Sequence, residues 1–164
     1  MTNIENQYEK LLLELLTAPK KADRTGTGTF SVFGRTLRHD MSIGFPLLTG
    51  KRVYHNSAVA ELLWILNGRT DMQYLHDHGV TYWDADYKRS GRADGTLGPV
   101  YGHQWRCFNG VDQLSNLVYE IKNNPTSRRM MVNAWNPADI PDMALPPCHY
   151  GFQVYVNDGK LDLI

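Results

Sequence analysis

The chain has very little cysteine: Cys107 and Cys148 are the only two in 164 residues. Two thiols cannot build a disulfide scaffold, and these two lack the paired spacing of a zinc site, so no metal is expected. A reducing, cytoplasmic setting is the expectation. Net charge is also missing, because 17 basic and 17 acidic side chains sum to +0. That excludes the basic excess of a dedicated nucleic-acid binder and the polybasic run of a membrane-surface protein. No stretch approaches the about 18 apolar residues of a membrane span, and Met1 to Lys10 has no apolar signal core. Internal repeats, low-complexity tracts and linkers are absent too. What remains is an ordinary globular composition, 42% apolar, read as one domain over 1–164 that can bury a core.

The pattern mixes helices and strands. Tyr8, Leu11, Leu12, Leu15 and Leu16 mark a helix that Pro19 ends. Phe30 to Asp40 alternates loosely and predicts one or two strands. Ser57 to Leu66 is the clearest helix, with Ser57 as N-cap, Val59, Leu62, Leu63 and Leu66 as its apolar face, and Asn67-Gly68 as its close. Met72 to His78 predicts a short helix closed by Gly79. Lys88 to Gly98 reads as a surface loop. Asp112 to Asn123 is an amphipathic helix. Met130 to Trp135 and Tyr150 to Val156 read as strands, and Asn157-Asp158-Gly159 turns the second into a return strand from Lys160. The absence of a regular βαβ repeat makes the fold class α+β, a mixed sheet with flanking helices.

Several side chains have chemical potential, each with a plainer alternative. Cys148 lies in Met143-Ala144-Leu145-Pro146-Pro147-Cys148-His149. A thiol has pKa about 8.5, which nearby cations lower, and its thiolate is a strong nucleophile. The plainer alternative is a structural cysteine, but two prolines fix the approach of the chain. Cys107 lacks such company and reads as structural. Arg128 and Arg129 suit phosphate oxygens, or form a solvated corner. Arg24, in Asp23-Arg24-Thr25-Gly26-Thr27-Gly28-Thr29, belongs to a phosphate-binding loop or a simple turn. Glu61 is a proton-transfer carboxylate or a helix-edge glutamate. Trp83 alone reads as a core aromatic.

The order of these motifs is specific. The loop from Asp23 to Thr29, Gly44-Phe-Pro-Leu-Leu48, Glu61-Leu-Leu-Trp64, Leu97-Gly-Pro-Val-Tyr-Gly-His-Gln-Trp-Arg106, Ser127-Arg-Arg129, Ala134-Trp-Asn-Pro137 and Met143 through His149 occur in one succession. From about residue 8 to Ile164 the chain resembles thymidylate synthase. The resemblance implies reductive methylation of dUMP to dTMP, with 5,10-methylenetetrahydrofolate giving both the carbon and the hydride. It implies that Cys148 adds to pyrimidine C6, that Glu61 organises proton transfers through water, and that Tyr101 assists proton removal at C5. Arg24 matches a ligand of the dUMP phosphate. Arg128 and Arg129 match a pair that crosses a homodimer interface to the partner's phosphate. Lys51, Tyr54, Trp83, Asp86 and Leu145 match positions on the folate side.

Two departures stand out. Gly50 replaces a family threonine before Lys51, and Asp86 stands where relatives carry tryptophan or asparagine. The family also continues beyond the equivalent of Ile164. It goes on into a Gln-Arg-Ser phosphate segment, an aspartate, an asparagine that reads the pyrimidine edge, and the closing C-terminal residues. Residues 1–164 are therefore expected to be an N-terminal portion that is inactive and poorly soluble alone. Three other readings stay open. One is a pyrimidine nucleotide hydroxymethylase, which ends with water instead of hydride; a large aromatic at Trp83 argues against it. Another is a cysteine hydrolase using Cys148 and His149, which adjacency on a strand disfavours. The third is a non-catalytic fragment that binds a partner subunit.

Overall fold

The computed structural model describes residues 4–23 and 26–164. The chain divides into two compact units, Met1–Tyr54 and His55–Ile164. The first unit carries helix α1 (Ile4–Thr17) and a small antiparallel ribbon of β1 (Lys20–Lys21) and β2 (Thr29–Phe30). Tyr8, Leu11 and Leu15 are half-buried, whereas Leu13 and Leu16 are exposed. Glu5 on α1 takes the backbone N–H of Thr49 at 2.7 Å and of Gly50 at 2.5 Å. These bonds hold its carboxyl below the usual range, with Gly50 the leading cause.

The strands expected across Phe30 to Asp40 stop at Phe30. Strand β1 offers only two residues to pair with, and Gly34 at φ +72° turns the chain away. A strand needs a partner for its backbone groups, and the segment beyond Phe30 has none in the described sheets. It ends in a 3-10 turn, Met41–Ile43, whose Ser42 N–H is capped by the Asp40 carboxylate at 2.9 Å.

The second unit contains helices α2 (His55–Leu66), α3 (Met72–Asp77), α4 (Asp84–Ser90), α5 (Tyr101–Cys107) and α6 (Gln113–Asn123). Strands β3 (Met131–Asn133), β4 (Gly151–Asn157) and β5 (Lys160–Leu163) form an antiparallel sheet in the order β3-β4-β5. The mixture of helices with small antiparallel sheets is an α+β fold. Val132 and Val154 point into the core, at 0% and 5% exposure, as the two-residue period of a sheet requires. The β4–β5 turn has positive φ at both Asp158 and Gly159, the condition for the tight hairpin that an Asp-Gly pair favours.

Helix α2 starts at His55, so Ser57 lies inside it and is not its cap. Its buried residues are Ala60, Trp64 and Ile65, while Val59, Leu62, Leu63 and Leu66 stay exposed in this unit. The helix is apolar nearly all round, so spacing alone does not select its inward face. At its end, Gly68 at φ +70° lets its own N–H reach the Ile65 carbonyl at 2.9 Å and that of Arg69 reach Trp64 at 3.1 Å, the bonds of a Schellman close. Helix α3 ends the same way at Gly79, where the Val80 N–H bonds the Leu75 carbonyl at 2.8 Å.

The expected loop from Lys88 to Gly98 is only partly a loop. Its first residues belong to α4, a short helix with Asp84 and Asp86 in the first turn and Lys88 and Arg89 in the last, the charge order that complements a helix dipole. Its far end is core, since Leu97 is 0% exposed. Arg92 explains why the polar stretch is ordered: it donates to the Thr96 carbonyl at 3.0 Å and to the Asp142 carbonyl at 2.9 Å.

Candidate active site

Helix α2 places Glu61 one turn before buried Trp64. The Trp83 indole, at the start of α4, donates its N–H to Glu61 Oε1 at 2.5 Å. Trp83 is 7% exposed, so it is a core aromatic and a carboxylate ligand at once. Its ring lies 6.4 Å from Trp64 on one side and 6.4 Å from Tyr101 on the other. Burial and then the Glu61 carboxylate push the neighbouring Tyr82 hydroxyl up to about 12.

Tyr101 opens α5 after Gly98-Pro99-Val100 and is 4% exposed. Burial pushes its phenol above the ordinary value, so at neutral pH it keeps its proton. The Tyr101 hydroxyl accepts the backbone N–H of Cys148 at 2.6 Å. Cys148 itself is exposed and follows buried Pro147. Next to it, the His149 ring stacks on Tyr101 at 4.0 Å, nearly parallel, with Trp105 edge-on at 6.0 Å. Burial lowers the His149 pKa, against the opposing field of Glu61. Cys148 and His149 lie in a bend rather than a strand. The imidazole is committed to the Tyr101 face, which leaves it poorly placed as a base for the thiol.

Glu61, Trp83, Tyr101 and Cys148 are thus brought together by three different elements and one loop. Sequence reading missed Tyr82 and gave His149 only a hydrolytic role. For His149 the signal was its place directly after Cys148; for Tyr82 it was its place before Trp83. The combination offers an accessible thiol, a neutral phenol and a carboxylate whose donor is fixed, all against an aromatic wall. That suits nucleophilic addition coupled to proton transfer.

The other expected residues lie elsewhere. Leu145 is half-buried and packs on the core. Asp86 is half-buried and paired with Arg89 at 2.8 Å inside α4. Arg128 and Arg129 are exposed, and no described hydrogen bond or ion pair joins them to the Glu61–Cys148 cluster. Arg129 borders a groove of about 260 Å³ with Gln113, Asn116 and Glu120. Lys51 and Tyr54 belong to the first unit. There the Lys51 ammonium sits 5.4 Å above the Tyr8 ring, and the Arg52 guanidinium 5.0 Å above Tyr54. Arg24 lies outside the described residues. Cys107, expected to be structural, is exposed like Cys148.

Among the described residues no helix is long and apolar enough to cross a membrane. Among them, too, no group of three His, Cys, Asp or Glu side chains is placed to hold a metal ion. A family model described as Thymidylate synthase matches residues 6–164.

Proposed function

The chain belongs to the thymidylate synthase family, a family of methyl-transferring enzymes of nucleotide biosynthesis, and from that premise we propose that it methylates dUMP to dTMP. The observation that supports the reading is the bond from the Cys148 backbone N–H to the Tyr101 hydroxyl, which ties the residue proposed as nucleophile to the neutral phenol proposed to assist proton loss at C5.

On this reading the Cys148 thiolate adds to C6 of the pyrimidine, which makes C5 nucleophilic. C5 then bonds to the one-carbon unit carried by the folate, Tyr101 assists loss of the C5 proton, Glu61 relays protons through water, and the Cys148–C6 bond breaks to return the thiolate. Trp83 fixes the Glu61 carboxylate at 2.5 Å, so the relay starts from one geometry. Arg24, Arg128 and Arg129 bind the dUMP phosphate, the last two across a homodimer. Their exposure supports that reach. The cosubstrate 5,10-methylenetetrahydrofolate supplies a one-carbon unit at the oxidation level of formaldehyde, together with a hydride. Trp83 and Leu145 are proposed to contact the folate ring system, and Lys51 and Tyr54 are proposed folate-binding residues of the first unit. Asp86 has the weakest support, because Arg89 already engages its carboxylate. A bulky indole at Trp83 is proposed to shield the exocyclic methylene from water, so that it takes hydride and gives methyl rather than hydroxymethyl product.

The test is tritium release from [5-³H]dUMP by the intact protein with the folate, alongside product analysis. Release with dTMP formation supports the proposal. No release, or 5-hydroxymethyl product, overturns it.

A further inference from the structure

The segment from Asp139 to Cys148 is tied at both ends to one helix. At its start, Gln104 Nε2 donates to Asp139 Oδ2 at 2.6 Å and to the Pro99 carbonyl at 2.9 Å. At its end, the Cys148 N–H donates to the Tyr101 hydroxyl at 2.6 Å. Tyr101 and Gln104 both lie on α5, three positions apart and so on the same side.

Gln104 is 0% exposed, and a buried amide left unpaired is costly. Here it is fully engaged. Its Oε1 accepts from Asn136 Nδ2 at 3.3 Å, and its backbone carbonyl accepts from Gln113 at 2.8 Å. Buried Asn136 adds a second donor to Asp139 Oδ2 at 3.0 Å. From Asp139 the chain makes a 3-10 turn, Ile140–Asp142, and then buries Met143. Midway, the Ala144 N–H bonds the Leu97 carbonyl at 2.9 Å, and Arg92 holds the Asp142 carbonyl. Gly98 packs so tightly on that carbonyl that any Cβ there would collide with it. The run-up to the thiol is therefore fixed at its start, middle and end, and two of the anchors sit one turn apart on α5.

We propose that Gln104 is a positioning residue for Cys148: it grips Asp139 so that the following segment delivers Cys148 onto Tyr101. The functional weight of this clamp rests on the nucleophile reading above, whereas its mechanical part does not.

Amide hydrogen exchange by NMR on the intact protein tests it. In Asp139→Ala and Gln104→Met, Cys148 amide protection should fall about tenfold or more, while Val154, bonded to Met130 across the sheet, keeps its protection. Asp139→Asn retains an oxygen acceptor and should restore Cys148 to near the wild-type value. Unchanged Cys148 protection in the first two variants overturns the proposal, as does an equal loss at Val154 in a folded variant. If neither variant folds, the wild-type protein decides. There the Gln104 side-chain amide protons and the Cys148 amide should respond alike to low denaturant, and unequal responses overturn the clamp. Coupling without tritium release from dUMP would keep the clamp and discard the reaction. Release without coupling would do the reverse.

Discussion

The Cys148 backbone N–H and the Tyr101 hydroxyl are joined at 2.6 Å, so the residue bearing the exposed thiol is registered on a phenol that is 4% exposed. The bond couples the loop that carries the thiol to the buried start of α5. Removing the hydroxyl therefore has both a structural and a chemical consequence.

Tyr101→Phe leaves the ring stack with His149 in place and removes the acceptor. Stability should drop by about 1 kcal/mol, the usual net worth of such a bond. Turnover should fall by about a hundredfold or more, the scale of a lost general acid or base. Urea unfolding and steady-state rates check the two figures separately. A rate loss no larger than the stability change explains would remove Tyr101 from the chemistry.

Trp83→Phe keeps an aromatic in the wall but takes the N–H from Glu61. A donor to a charged acceptor in a core site is worth about 2 kcal/mol. The urea midpoint should fall accordingly. Glu61→Gln should cost less, because its side-chain oxygen still accepts from the indole. Equal costs in the two variants would mean that the bond is not the source of the stabilisation.

His149 predicts a pH dependence. Its pKa is lowered in the folded protein by burial, from an ordinary value of 6.5. In the window just below that value, the unfolded chain binds the proton more readily than the folded one. Stability should therefore be fully present above the ordinary histidine value and decline as the pH falls toward the lowered one. Replacing His149 with phenylalanine should flatten this slope in urea titrations over about pH 5 to 8. A slope that survives the replacement would assign the effect to another group.

Gly102→Ala tests the seat of α5. A Cβ at that position would run into the backbone of Arg69, just past the Schellman close of α2. Rigid backbone cannot move aside as a side-chain tip can, so a loss of about 2 kcal/mol or more is expected. Thermal unfolding of the variant measures it, and an unchanged midpoint would show that the α2–α5 junction yields easily.

The amphipathic helix α6 and the Asp-Gly hairpin were legible because each carries its own local signal: an N-capping Asp112 with one apolar stripe, and a turn pair that accepts positive φ. Helix α5 was not legible. Tyr-Gly-His-Gln-Trp-Arg-Cys shows no helical stripe, and what fixes it is the bonding of Gln104 and Tyr101 to a loop far along the chain. The same reason hid the inward face of α2, where apolar residues on every side left the choice to tertiary contacts. At the site, the succession of motifs pointed to Glu61, Tyr101 and Cys148. Only the structure shows that Trp83 holds Glu61 and that His149 is spent on the Tyr101 face.

The central claim is that Cys148 is the nucleophile toward a pyrimidine nucleotide. Its most direct test uses 5-fluoro-dUMP and 5,10-methylenetetrahydrofolate with the intact protein, followed by peptide mass mapping. Fluorine at C5 cannot leave as a proton, so a thiol that has added to C6 stays attached. An adduct on the peptide containing Cys148, with Cys107, which is also exposed, unmodified, is the predicted result. No adduct, or one on Cys107, would contradict the account.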